Sequence, residues 1–281
     1  MKRSRRVAGQ VFAVMSFLAT AVGIVVLLVL LFDIFRDGAS RLSLAFLNGF
    51  PSRFAERSGI KPALVGSIWT LILTAAVAFP LGVGTAIWLE EYAPNNRFTR
   101  IVQMNIANLA GVPSIVYGIL GLAMFVRFAH LGRSVMAGAF TLALLILPIV
   151  VISSQEAIKA VPNSTRLGSY ALGATRWETI RFHVFPQALP GILTGTILAL
   201  SRAIGEAAPM IMIGALAFIP FVPKGPLDEF TVIPIQIFTW VSKPQTEFQH
   251  VAAAGSIVLL VVLLTLNAVA IMLRNKYTRK Q

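Results

Sequence analysis

Stretches free of Asp, Glu, Lys and Arg recur along the chain at lengths that a membrane would set. Val7 to Phe32, Pro62 to Leu89, Ile101 to Val126, Ser134 to Gln155 and Phe248 to Leu273 are each of this kind. About 20 apolar residues suffice to cross a hydrocarbon core ~30 Å thick. A further stretch, Gly191 to Phe218, is apolar apart from Arg202 and Glu206. The pattern predicts an all-α integral membrane protein with six transmembrane helices. Pro80, Pro113, Pro148 and Pro209 fall inside four of the spans, where proline is tolerated and kinks the helix.

Composition supports this reading. Only 12% of the 281 residues are charged and 57% are apolar, with a mean hydropathy of +0.80. A soluble domain carries about 25% charged residues, so a soluble enzyme and a disordered chain are both excluded. The chain has no cysteine, which removes disulfide scaffolds, zinc-thiolate sites and Cys nucleophiles. The net charge of +13 would suggest nucleic acid in a soluble protein; here it points to basic cytoplasmic loops. Met1 to Arg6 holds four basic residues ahead of the first apolar run. That run is too long for a signal peptide core and no small-residue cleavage site follows, so it reads as a retained helix. With both termini inside, the inner segments carry 14 basic residues and the outer ones 9, although the first outer loop runs against the trend. Three segments follow: 1–61, an N-terminal membrane helix and outer loop; 62–273, the transmembrane domain; and 274–281, a cytoplasmic tail. No internal repeat, low-complexity tract or soluble domain is visible.

The inner loop, Glu156 to Pro190, is the most informative stretch. Asn163 or Ser164, after Val161-Pro162, is placed to cap a short helix ending at Leu172, with Gly173 at its C′ position. Thr175-Arg176-Trp177-Glu178 has the spacing of a capping box. Pro186 and Pro190 are expected to end this second helix before the fifth span. Helix, glycine hinge, helix suits a rigid cytoplasmic hairpin that docks on a partner; an amphipathic loop lying on the membrane fits the same pattern. The outer loop, Pro223 to Pro244, is expected to place Thr231 to Val241 along the membrane surface as a helix.

Several chemistries have no residues to carry them. No Gly-x-x-x-x-Gly-Lys-Ser/Thr run is present, so any ATP motor is another polypeptide. His130, His183 and His250 lie far apart, none with a second ligand at i+3 or i+4, which argues against a metal site. Intramembrane hydrolysis lacks a Gly-x-Ser-x-Gly nucleophile or paired aspartates. What remains is Arg202 and Glu206. Counted from Gly191 at 1.5 Å per residue, Arg202 sits about 16 Å deep, near the middle of the core. A charge there costs at least ~2.5–3.5 kcal/mol. The i, i+4 spacing places both on one helix face, either as a structural ion pair or as groups lining a path.

Motifs distributed along the chain add a resemblance. Ala171-Leu172-Gly173-Ala174 with Pro186-Gln187-Ala188-Leu189-Pro190-Gly191 resembles the signature loop of ATP-binding-cassette importer permeases of the MetI-like type. There the loop is a coupling helix that enters a groove of the ATPase. Where that pattern opens Glu-Ala-Ala, this chain has Leu167, Gly168 and Ser169. Leu89-Glu90-Glu91-Tyr92-Ala93-Pro94, Gly111-Val112-Pro113-Ser114-Ile115-Val116-Tyr117-Gly118 and Ser201-Arg202-Ala203-Ile204-Gly205-Glu206 are similar to phosphate importer permeases. Ala207-Ala208-Pro209 and Gln236-Ile237-Phe238-Thr239-Trp240 resemble the PstA type rather than the related PstC type.

The resemblance covers residues 62 to 273. It implies a permease subunit without catalytic site or cofactor, and phosphate passing Arg202 and Glu206. It implies coupling through Leu167, Gly168, Ser169, Ala171, Leu172, Gly173 and Ala174. Its implied partners are a PstC-like permease, a PstB-like ATPase dimer and a PstS-like phosphate-binding protein facing the outer loop, in the inner or plasma membrane. Two alternatives stay open: the same architecture for sulfate or molybdate, and a carrier or channel that needs no ATPase.

Overall fold

In the computed structural model, residues 2–215 and 218–278 are described. Among these described residues five helices are long and apolar enough to cross a membrane, or six when one bent pair is counted as a single span. Helix α1 (Lys2–Gly38) packs on the last helix where Gly38 meets Ala253 and Ala254. None of its most apolar window is buried. Such exposure carries no penalty in lipid, where tails are as apolar as the side chains. A short α2 (Leu44–Asn48), capped by the Ser43 hydroxyl, sets Phe46 against Trp240.

Three helices form the central core. Helix α3 (Lys61–Ile87) runs on through one π turn, Trp88–Tyr92, and packs along α6 (Val135–Lys159). The other face of α6 meets α9 (Phe185–Ile204). Ala78, Leu142, Ile146, Val150, Ala199 and Ala203 fill the contact. Gly191 lies directly on Ala157 and Gly195 on Ser153, which fixes an antiparallel register for α6 and α9. At one end, Val83, Ile158, Val184 and Ile192 close a second apolar cluster. At the other, Ile60, Phe248 and Val251 join Phe46 and Trp240 in a third, against α12 (Glu247–Thr278).

The kink expected at Pro113 is a full break between two helices, and two other expectations change. Helix α4 (Arg97–Ala110), capped by Asn96, is bent by 104° from α5 (Ser114–Gly121) and its π-helical extension to Phe128. Pro113 stands between them at φ −56°, ψ 137°; it lacks the N–H that would bond back into α4 and disfavours helix at Val112 before it. The second helix of the inner loop does not stop at Pro186 and Pro190. Helix α8 (Arg176–Thr179) continues through a π turn, Ile180–Val184, into α9, giving one segment from Arg176 to Ile204. Pro186 falls just after the π turn, and Pro190 lies inside α9 without ending it. The fifth span correspondingly ends at Ile204, not Phe218. After a break comes α10 (Ala208–Ile213), with Gly214 left-handed at its end.

The outer loop departs from expectation as well. Its helix, α11 (Ile233–Val241), is tucked into the protein rather than lying on the membrane, with Ile233, Ile235 and Trp240 buried. The Ser67 hydroxyl accepts the Ile233 N–H at 2.9 Å, and the Thr231 carbonyl presses on Gly66 of α3. A methyl at position 66 has no room there. Gly66→Ala should therefore destabilise the chain by about 1–3 kcal/mol, the usual cost of overpacking. Its melting temperature in detergent should fall below the parent's; an unchanged value would contradict this packing.

Candidate functional site

The hairpin between α6 and α9 is built by local hydrogen bonds. Helix α7 (Asn163–Ala171) starts after Pro162, and neither Asn163 nor Ser164 caps it: Asn163 already lies inside the helix and Pro162 holds the cap position. Its C-terminus closes as the sequence predicts. Gly173 has φ +86°. Its N–H donates to the Tyr170 carbonyl at 2.9 Å, and the Ala174 N–H to the Ser169 carbonyl at 3.2 Å, the paired bonds of a Schellman stop. The next helix opens on a complete capping box. The Thr175 hydroxyl accepts the Glu178 N–H, and the Glu178 carboxylate accepts the Thr175 N–H at 2.7 Å.

A buried hydroxyl pair, Ser169 Oγ and Thr179 Oγ1 at 2.9 Å, staples the two arms. Ser169 stands where the resembled pattern has Ala. Leu167, replacing the Glu, is 63% exposed, and Leu172 at the tip is 90% exposed. Gly168, Ala171 and Ala174 complete the expected set on α7 and its turn, Gly168 and Ala171 exposed and Ala174 half-buried. With Trp177 these form an apolar surface on a turn rigidified by backbone bonds.

The hairpin and the end of α6 are both tied to the π turn after α3 by Glu90, Glu91 and Tyr92, which the sequence marks only as part of a motif. Arg166 donates to Glu91 Oε1 from Nη2 at 2.7 Å and from Nε at 3.1 Å. Gln155 Nε2 donates to Glu90 Oε1 at 2.7 Å, and Lys159 Nζ lies 3.5 Å from the same oxygen. The Arg176 guanidinium stands over the Tyr92 ring. Two adjacent acidic residues at the end of an apolar span were the available signal, but their partners lie 65 to 75 positions away.

Arg202 and Glu206 are brought together, though not as members of one helix. Arg202 occupies the last turn of α9, where the free carbonyls favour a cation. Glu206 lies in the break before α10, and its N–H still donates to the Ala203 carbonyl. Arg202 Nε to Glu206 Oε1 is 3.3 Å. The Arg side chain is 49% exposed and the Glu 18%. Continuing the register from Gly191 on Ala157 puts Arg202 level with roughly Ile146, near the middle of α6. Glu206 borders a narrow crevice with Ser67, Thr70, Leu142 and Met210. Leu198, Arg202 and Gly205 form an exposed stripe on this side of α9. The two broken spans meet beside it, where Gly118 of α5 contacts Pro209 and Met212 of α10.

This architecture, with a helical hairpin between the fourth and fifth crossings, agrees with known proteins. The family described as "Binding-protein-dependent transport system inner membrane component" matches residues 78–280. The chain belongs to this family. The permease is 33% identical over 279 residues to the "Probable ABC transporter permease protein YqgI" of Bacillus subtilis, covering 95% of each chain. It is 31% identical to the "Phosphate transport system permease protein PstA" of Pasteurella multocida, covering 95% of this chain and 94% of that one. It is 34% identical to the PstA 1 protein of Mycobacterium tuberculosis strain H37Rv over 82% of this chain and 74% of the other. Its fold matches the inward-facing MetNI methionine transporter with a TM-score of 0.61, over 75% of this chain and 94% of that chain, at 16% identity.

Proposed function

We propose that this permease forms half of the path of an ATP-driven phosphate importer. The observation carrying the reading is the inner hairpin, stopped and restarted by backbone caps, with Leu167, Leu172 and Trp177 exposed. A rigid apolar projection outside the membrane suits insertion into a partner's groove. The PstA relatives supply the substrate class. Its partners are a PstC-like permease against the Arg202 stripe, a PstB-like ATPase dimer on the hairpin and a PstS-like phosphate-binding protein at the outer loop.

In the transport cycle, closure of the motor displaces the hairpin, and the spans tilt to open the path alternately to either side. The chain makes and breaks no covalent bond. Phosphate passing the α9–α10 break meets Arg202, whose planar, always-charged fork matches phosphate oxygens. Glu206 accepts a hydrogen bond from the proton that hydrogen phosphate retains. Sulfate at neutral pH has no such proton, so its charge opposes the carboxylate directly.

Vesicles holding the four components test this reading. Uptake of radiolabelled phosphate should require ATP and exceed uptake of sulfate or molybdate. Preference for another oxyanion, or uptake without the ATPase, would sink it. Orientation provides a second check. With both termini cytoplasmic, α12 alone separates the outer loop from the tail. A tag at Gln281 and one within residues 223–244 should then react with impermeant label from opposite sides. Labelling from the same side would overturn the topology.

A further inference from the structure

We infer that Arg166 and Glu91 form the joint through which displacement of the hairpin reaches the membrane helices. The inference rests on the proposed docking of an ATPase and goes beyond it by naming the positioning residues. Arg166 belongs to α7, the arm expected to move with the motor. Its guanidinium makes four donor contacts outside α7. Nε and Nη2 hold Glu91 Oε1, in the π turn that ends α3. Nη2 also donates to the Ile158 carbonyl at 3.1 Å, in the last turn of α6, and Nη1 to the Val161 carbonyl at 2.8 Å, in the turn that leads from α6 to α7. One side chain thus joins the docking arm to the ends of both central helices.

Burial makes this joint stiff. Glu91 is 5% exposed and the Arg166 side chain 16%. A charge pair so shielded from water holds its geometry, because separating it leaves both charges unpaired in a poor solvent. The fork matters as much as the charge. A guanidinium presents five donors in a fixed plane, whereas an ammonium is a point charge on a flexible stem. The flanking contacts act as supports: Glu90 with Lys159 and Gln155, and Arg176 over Tyr92. The Glu90-Glu91-Tyr92 triplet therefore holds the hairpin at two points, through Arg166 and Arg176, and the end of α6 at a third. Apolar packing between α6 and the start of α9 is a softer route for the same motion.

The test uses the assembled importer in vesicles, with ATP hydrolysis and inorganic phosphate uptake measured together. In Arg166→Lys and Glu91→Gln, ATP hydrolysis should continue while uptake falls, so ATP consumed per phosphate rises at least fivefold. A merely structural pair would lower complex yield and both rates in proportion, leaving the ratio unchanged, and that result overturns the proposal. A variant independent of the native pair guards against misfolding. The chain has no cysteine, so Glu91→Cys/Arg166→Cys carries its only two thiols. Bridging them with a short bifunctional thiol reagent should restore the ratio to within twofold of the parent. A bridged protein as uncoupled as the unbridged one rejects the joint. If the parent complex shows no ATP-driven phosphate uptake, the proposed function fails instead, which separates the two.

Discussion

Arg202→Gln should lower phosphate uptake at least tenfold while the complex still assembles with its ATPase. The magnitude follows from the lost contact. A hydrogen bond to a charged group is worth roughly 1.5–3 kcal/mol, and each ~1.4 kcal/mol is a factor of ten in rate. Assembly should survive because the Arg202 side chain is 49% exposed. Its loss opens no hole in the apolar packing of α3, α6 and α9, to which it does not belong. Glu206→Gln should reduce uptake by a smaller factor and relax discrimination against sulfate, since the amide no longer repels an unprotonated oxyanion. The competing reading, a structural pair, makes the opposite forecast: each single change strands a partner and lowers folded protein. Complex yield and uptake are to be measured for both singles and for Arg202→Gln/Glu206→Gln. Full recovery of uptake in the double variant would refute a direct role for the pair.

Gly173→Val should abolish coupled transport without preventing membrane insertion. The reason is backbone conformation alone. Gly173 has φ +86°, and a Cβ built there meets nothing within 4 Å. The left-handed region costs an L-residue roughly 1–2 kcal/mol, more when the side chain is β-branched. Asparagine tolerates this region best after glycine. Uptake should therefore fall in the order Gly, Asn, Ala, Val, with Val at least tenfold below the parent. The empty space around the residue removes local crowding as an explanation for such a ranking. Equal uptake across the series, with equal protein in the membrane, would dismiss the hinge and with it the hairpin's part in coupling.

The hairpin and the spans were legible in the sequence to different degrees, for reasons that lie in the range of the interactions. Thr175 with Glu178, and Gly173 after α7, act across three to five residues. The hydrogen bonds that stop one helix and start the next are therefore encoded where they form. The first, second, fourth and sixth spans likewise follow from uncharged runs, because lipid rewards continuous apolar helix. Counting charges cannot detect a bend, however. The α4–α5 break leaves the run from Ile101 to Val126 uncharged, and only Pro113 marked it. Pro186 and Pro190 misled in the other direction: the helical segment runs on past both, Pro186 just after the π turn and Pro190 inside α9. The burial of α11 was hidden because it depends on Gly66 and Ser67, about 165 positions earlier, offering a slot and a hydroxyl.

The site divides along the same line. The sequence alone determined that Arg202 and Glu206 lie in an apolar run four residues apart, and that a hinged hairpin precedes them. Tertiary structure decided that the helix ends between them, that Arg202 is level with the middle of α6, and that Arg166 reaches Glu91 across 75 positions. Local backbone geometry is written in adjacent residues. Which helices meet, and which charges they shelter, is set by packing between segments that share no sequence neighbourhood.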